Sequence, residues 1–473
     1  MRKRTLVLAA ALTTGLLALP VTTTAASATP SGLQGDFNGD GYRDLAIGVP
    51  AGISGATDAG YVTVVYGTSA GIDPAKHKMI SQNSSGVPGS SEGGDSFGAK
   101  LATADFDKDG YTDLAVGAPG EDVGPNSDQG SVSILWGGSA GVSGGTTVSV
   151  PKAFDGSMIG SELAAGDFDG DGSADVVVST PQSDLQIQHG PFDRSGGAGA
   201  TETVHVPAET GTFVRNLTAG DVTGDKKADL VIQARKDDEG QSQAWLYTGS
   251  ATGLVKSWQL PDSDRAAIGD LDKDGYRDIA LGDSYETTAM GGRVTIVYGA
   301  PSGINTTKGV SFHQSTPGVP GSAEPGDMFG GALAIGDTSG DGYGDLVIGS
   351  PGEDIGTKPD AGCFVVLRGS ASGVTTIGAK SFSQDSTGIP GSVEKGDLFG
   401  SALQLSDTNK DGRADLAVSA IGEAAPQESV RSGAVWRIRG SSTGPTATGS
   451  MAISPDDAGR PWDDETFGAA LTG

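Results

Sequence analysis

A closed all-β ring of seven four-stranded blades, a β-propeller, is predicted by three features of the 473-residue sequence. A nine-residue pattern rich in aspartate occurs seven times, at 36–44, 105–113, 167–175, 221–229, 270–278, 337–345 and 407–415, with successive starts 49 to 70 residues apart. Copies are followed by a short apolar run and then by one whose apolar residues stand two apart, as in Val62/Val64/Tyr66, Val132/Ile134/Trp136 and Val294/Ile296/Tyr298. That is the period of a strand, not of a helix. Glycine makes up 78 residues and recurs at fixed places beside the aspartates, which marks repeated turns and not a flexible linker.

The repeat length fixes the architecture. About 40 to 50 residues make one four-stranded blade. A single blade cannot bury both of its faces, and closing seven into a ring protects the faces and most edges. The longer intervals hold a readable insertion: residues 86–98 (GVPGSSEGGDSFG), 318–330 (GVPGSAEPGDMFG) and 388–400 (GIPGSVEKGDLFG) are near copies, each just before an aspartate loop. The chain ends Phe467-Gly468-Ala469-Ala470-Leu471, the opening strand of a repeat that does not continue, whereas few residues of the mature chain, expected to begin near Thr29, precede Asp36. The C-terminal segment is therefore expected to complete the first blade, giving one propeller domain over 29–473.

Residues 1–28 read as a secretory signal: Arg2, Lys3 and Arg4 open it, a mostly apolar stretch follows, and Ala26-Ser27-Ala28 offers a small-residue cleavage site. The expected location is thus extracellular. No other apolar run approaches the roughly 20 residues of a membrane span. Cys363 is the single cysteine, so an intrachain disulfide is excluded. A formal charge of −28 disfavours nucleic acid and anionic membranes as partners. The mature chain is expected to be a monomer.

The loops carry the chemistry. Calcium takes six to eight oxygen ligands at about 2.3–2.6 Å. Short carboxylates at positions 1, 3, 5 and 9, with the backbone carbonyl of position 7, can wrap one ion, and Gly at position 6 permits the tight turn. The proposed ligands are Asp36, Asn38, Asp40, Tyr42 and Asp44 in the first loop, then Asp105, Asp107, Asp109, Tyr111 and Asp113 in the second. The third has Asp167, Asp169, Asp171, Ser173 and Asp175, and the fourth Asp221, Thr223, Asp225 and Asp229. The fifth has Asp270, Asp272, Asp274, Tyr276 and Asp278, and the sixth Asp337, Ser339, Asp341, Tyr343 and Asp345. The seventh has Asp407, Asn409, Asp411, Arg413 and Asp415. Up to seven Ca2+ ions are expected. The fourth site is expected to be weak or empty, because Thr223 replaces Asp or Asn and Lys226 replaces Gly.

The Phe-Gly openings (Phe97-Gly98, Phe329-Gly330, Phe399-Gly400), the aspartate loops and the Gly-Ala-Pro or Gly-Ser-Pro that follows resemble the FG-GAP repeats of the integrin α-subunit propeller and of related bacterial secreted proteins. The resemblance covers essentially the whole mature chain, though the third to fifth repeats lack the Phe-Gly opening. It implies that the loops are hairpins between a blade's first two strands. It also implies ligand contacts on the opposite face, where Gly120-Glu121-Asp122, Gly352-Glu353-Asp354 and the three insertions are candidates. The expected role is an adhesion or binding module for an extracellular protein or glycan.

Catalysis is not expected. The segments 67–71 (GTSAG) and 137–141 (GGSAG) fit the hydrolase pattern GxSxG, but each follows a blade strand where 299–303 (GAPSG) and 440–444 (GSSTG) also stand. They read as turns, without the strand-to-helix setting of a nucleophile elbow. His77, His189, His205 and His313 show no zinc spacing and are assigned to surface or packing. Lys395-Gly396-Asp397 occupies the slot of Gly94-Asp95 and Gly326-Asp327 and belongs to the repeat. Through the family resemblance a hydrolase related to glycosylphosphatidylinositol-specific phospholipase D remains the alternative.

Overall fold

The computed structural model describes residues 31–151, 153–181, 184–207, 212–236, 242–285, 291–424, 430–460 and 465–473. The secretory signal expected over 1–28 lies outside them. Seven antiparallel four-stranded sheets form the seven predicted blades. Blade one pairs Leu45–Val49, Tyr61–Val65 and His77–Ile80 with the C-terminal strand Ala470–Thr472. Blades two to seven run without interruption, opening with Leu101–Ala104, Leu163–Gly166, Thr212–Gly220, Arg265–Gly269, Ala332–Gly336 and Phe399–Ser406 respectively. These opening strands, with Ala470–Thr472, lie next to one another around the ring.

Hydrophobic cores lie between blades. Second strands such as Leu45–Val49, Asp113–Ala118 and Asp345–Ser350 are buried along their whole length, since each sheet is covered on both faces. Side chains of adjacent blades interleave: Val62, Val64, Leu114 and Val116 share one cluster, and Val347, Phe364, Leu416 and Trp436 another. The glycines of the Phe-Gly and Gly-Ala-Pro segments set the spacing. A Cβ on Gly117 would lie 2.1 Å from the carbonyl oxygen of Gly160 in the next blade, so only hydrogen fits there.

Phe97, Phe329 and Phe399 are fully buried plugs between blades. Their amides donate to Ala59, Gly291 and Ala361 of the preceding blade at 3.0, 2.6 and 2.9 Å. In the third repeat Ile159-Gly160 takes this place, and the Ile159 amide donates to Gln129 at 2.9 Å. The plug site needs a large apolar side chain before glycine, which aliphatic Ile159 also supplies.

Phe467 is the closing plug. It is fully buried among Tyr61, Val435 and Ile47, and its amide donates to Ser432 at 2.8 Å. Just before it, Glu465 accepts hydrogen bonds from the Ile53 amide at 2.9 Å and the Tyr61 hydroxyl at 2.7 Å. Ala470–Thr472 then pairs with Ala46–Gly48. Phe467→Ala is expected to cost about 3–5 kcal/mol, and deletion of residues 466–473 to lower the melting temperature sharply. An unchanged thermal melt for the deletion would refute closure as a stabilising contact.

Candidate functional site

The aspartate loops join first to second strands along one rim of the ring, as predicted. In blade one the hairpin is split between the two chain ends: the loop begins at Asp36, and Gly35 packs against Gly473 so closely that a Cβ would lie 2.4 Å from its carbonyl carbon. Positions 4 and 6 are left-handed in all seven copies, from Gly39 and Gly41 to Lys410 and Gly412. Amides around this double turn point inward onto the first aspartate. Those of Gly39 and Gly41 donate to the two oxygens of Asp36 at 2.7 and 2.6 Å, and Gly170 and Gly172 serve Asp167 at 2.7 and 2.9 Å. The position-7 amide donates to position 5, as from Tyr42 to Asp40 at 2.9 Å and from Tyr276 to Asp274 at 2.9 Å.

Position 9 is set apart from the other acids. Asp44, Asp113, Asp175, Asp229, Asp278, Asp345 and Asp415 are all buried. Asp44 accepts the Phe37 amide at 2.9 Å and the Gly67 amide at 2.7 Å, tying the loop to the end of the third strand. Asp113 does the same with Phe106 and Gly137 at 2.9 and 2.7 Å, and Asp278 with Leu271 and Gly299 at 2.8 and 3.0 Å. Burial still dominates: it pushes the Asp44 carboxyl up to about 8 and those of Asp113 and Asp278 up to about 7. A buried carboxylate held only by neutral amides is a group that a cation would favour in its charged form.

Carboxylate oxygens converge in three of the loops. In the second and fifth loops, Asp105, Asp107 and Asp113, and Asp270, Asp272 and Asp278, bring ligand atoms within 4.8 Å of one another. In the third, Asp167, Asp169 and Asp171 do so. These are the three loops with Asp at position 3; Asn38, Thr223, Ser339 and Asn409 stand there in the others. The donor sets are compatible with a divalent cation. Cationic side chains also reach several loops. Arg194 pairs with Asp107 and Asp109 at 2.7 and 2.6 Å, and Arg368 with Asp341 and Asp345 at 3.3 and 3.2 Å. Lys308 meets Asp272. In the fourth loop Lys226 takes the left-handed φ of 73° otherwise held by glycine. The cation that meets its carboxylates there is Lys227, at 2.8 Å from Asp225.

His189 is a loop residue that sequence spacing concealed. It faces Asp169 and Asp175 from the end of blade three's third strand, and its position just before Gly190, whose amide binds Asp175 at 3.0 Å, was the available signal. Other candidates hold the fold. The Asp95, Asp327 and Asp397 carboxylates are buried and accept the amides of Glu92, Glu324 and Glu394, each at 2.6 Å. Glu121 and Glu353 accept from Gln82 and Gln314, while Asp122 and Asp354 accept the amides of Asp128 and Asp360 at 2.9 and 3.0 Å. The GxSxG segments are strand-to-strand turns, closed by Gly71 donating to Thr68 at 2.8 Å and Gly141 to Gly138 at 2.7 Å. Cys363 is buried and its thiol pushed up to about 12 by burial.

Asp44→Ala is expected to destabilise the protein even in chelator, by about 1–3 kcal/mol for each buried amide left without an acceptor. Asp40→Ala, which gives up the exposed Tyr42 amide bond besides its cation-facing oxygen, should destabilise mainly in calcium and little in chelator. Because the buried carboxyls have raised values, the metal-free folded state binds more protons than the unfolded chain from about pH 4 to pH 8. Stability of the chelator-treated protein should therefore fall as pH rises through that window. A melting temperature that instead climbs from pH 5.5 to pH 8 in chelator would contradict this.

The FG-GAP repeat model matches residues 28–65, 97–135, 159–206 and 329–362, which fall on blades one, two, three and six. Phosphatidylinositol-glycan-specific phospholipase D of Rattus norvegicus is 37% identical over 151 residues, covering 31% of this chain and 17% of that protein. Its Homo sapiens counterpart is 33% identical over 151 residues, covering 31% and 18%. Integrin alpha-5 of Xenopus laevis is 28% identical over 223 residues, covering 43% and 21%. The chain thus spans about a fifth of the length of these relatives. With the Phe-Gly plugs, the aspartate hairpins and the closed ring, these matches identify the chain as a member of the FG-GAP repeat family, related to integrin α-subunits and to phosphatidylinositol-glycan-specific phospholipase D.

Proposed function

We propose that this chain is a secreted, calcium-binding propeller that acts as a non-catalytic binding module at the cell exterior, with a protein or glycan as its partner. The observation that carries the binding reading is the distribution of exposed apolar side chains. Of the exposed large apolar side chains among the described residues, Ile53, Val123, Phe154, Met158, Phe213 and Tyr285, 36 to 52% exposed, lie on loops or strand ends away from the aspartate hairpins, while Val255 and Ile377 stand on the outer strands of blades four and six. Six of these eight exposed apolar groups thus sit on the rim opposite the aspartate hairpins, and such groups on an otherwise acidic molecule favour a contact surface there. Met158, Phe213 and Arg215 line a cleft of about 270 Å³ there, with Thr180 and Pro181 opposite.

Calcium is supported by the donor chemistry: short carboxylates, carboxamides and hydroxyls, oxygen almost throughout, which suit a hard cation. The export reading rests on residues 1–28. No helix among the described residues is long and apolar enough to cross a membrane. The non-catalytic reading is supported by the turn geometry of both GxSxG segments. The phospholipase named among the relatives is matched over less than a fifth of its length.

Chelator is expected to lower the melting temperature, since ligand at a thousand times its dissociation constant stabilises by about 4 kcal/mol per site. An identical melt in calcium and in chelator would exclude structural calcium. For binding, the immobilised mature chain is presented to purified matrix proteins and a glycan array. Phe154→Ser combined with Phe213→Ser should weaken capture at least tenfold while changing stability by no more than about 0.5 kcal/mol each. Capture unaffected by the pair would move the contact off this face.

A further inference from the structure

The third loop differs from the other six in the residue that faces it. Before the glycine that binds the ninth aspartate stand Tyr66, Trp136, His189, Thr248, Tyr298, Arg368 and Arg439 in blades one to seven. His189 Nδ1 lies 3.5 Å from Asp169 Oδ2 and 3.3 Å from Asp175 Oδ1. The three ligand atoms lie within 4.8 Å of one another. Nδ1 is buried and makes no hydrogen bond.

The other ring nitrogen explains the orientation. His189 Nε2 is 3.3 Å from Glu202 Oε2, on the strand paired alongside. With the proton on Nε2, shared with Glu202, Nδ1 presents a lone pair to two carboxylate oxygens. That arrangement is repulsive until a cation stands among the three atoms. A carboxylate behind an imidazole is the usual device that fixes a metal-binding tautomer. A tetrahedral zinc ion with bonds of about 2.0–2.1 Å sets neighbouring ligands roughly 3.3 Å apart, close to both observed separations.

We propose that Asp169, Asp175 and His189 form a nitrogen-containing site for a divalent transition metal of the zinc class, with Glu202 positioning the imidazole. Calcium takes oxygen ligands, whereas an imidazole nitrogen suits zinc and its neighbours. Asp169 also belongs to the oxygen-only set with Asp167 and Asp171, so in this loop one carboxylate stands between two kinds of site. The proposal rests on the reading of the loops as cation sites for this blade alone; the remaining six loops do not enter it.

The test uses the full mature chain, stripped with chelator and returned to millimolar calcium, then titrated with Zn2+ by calorimetry and with Co2+ by absorbance. One equivalent of Zn2+ should bind, and Co2+ should give the intense d–d bands of a four-coordinate ion. His189→Ala should abolish both signals, and Glu202→Gln, which leaves the ligands in place, should weaken Zn2+ roughly 10–100-fold. His205→Ala, whose ring pairs with Asp184 on the blade surface, serves as the control and should bind as the unaltered chain does. Calcium stoichiometry is measured on all variants. Calcium binding without Zn2+ binding would overturn this site and leave the calcium reading standing. Zn2+ affinity equal in the unaltered chain and in a folded His189→Ala would overturn it too.

Discussion

The buried carboxylate at the ninth loop position is held by an amide of its own loop and an amide from the end of the third strand. Asp44 with Phe37 and Gly67 is one instance, and Asp113, Asp175 and Asp278 repeat it. This joins the inner hairpin of a blade to its outer half. It also leaves a negative charge in a poorly solvated place, which burial alone makes unfavourable. The carboxylates clustered above it add to the repulsion. A cation on the loop, or a guanidinium such as Arg194 or Arg368, offsets both at once.

The loops also link blade to blade. The Asp36 carbonyl accepts the Thr112 amide at 3.1 Å, and Asp167, Asp270 and Asp337 accept Ala228, Gly344 and Ala414, each at 2.8 Å. Tyr111 lies so close over Gly39 that a Cβ there would be 2.5 Å from its ring. Lys410 of the last blade sits 4.9 Å from the ring centre of Tyr42 in the first. Loop order thus bears on the contacts between sheets as well as on the hairpins. The Phe-Gly plugs perform the corresponding task at the other rim.

The two rims consequently have different work. One is occupied by aspartates already committed to backbone amides and, in several loops, to Arg or Lys side chains. On the other, Asp95 and Asp327 are tied into their own turns, Glu121 and Glu353 are held by Gln82 and Gln314 of the preceding blades, and the apolar side chains around Met158 and Phe213 are left exposed. The acidic motifs that invite a functional reading are thereby assigned to folding, and the less regular middle blades hold the cleft. Departure from the repeat, in the stretch without a Phe-Gly opening, coincides with the surface that has contacts to spare.

The sequence by itself determined the all-β class, seven blades, the position of every aspartate loop and the closing role of Phe467, because each follows from a period or a motif repeated along the chain. Hairpins and turns are local, so spacing encodes them. Tertiary structure alone decided which side chains from farther along the chain reach a loop. His189 lies 14 residues beyond Asp175, and Arg194 lies 85 beyond Asp109; neither distance has a period. Burial likewise separates Asp44 from Asp40, two residue types identical in sequence, since which carboxylate is cut off from water depends on sheets that meet only when the ring is closed.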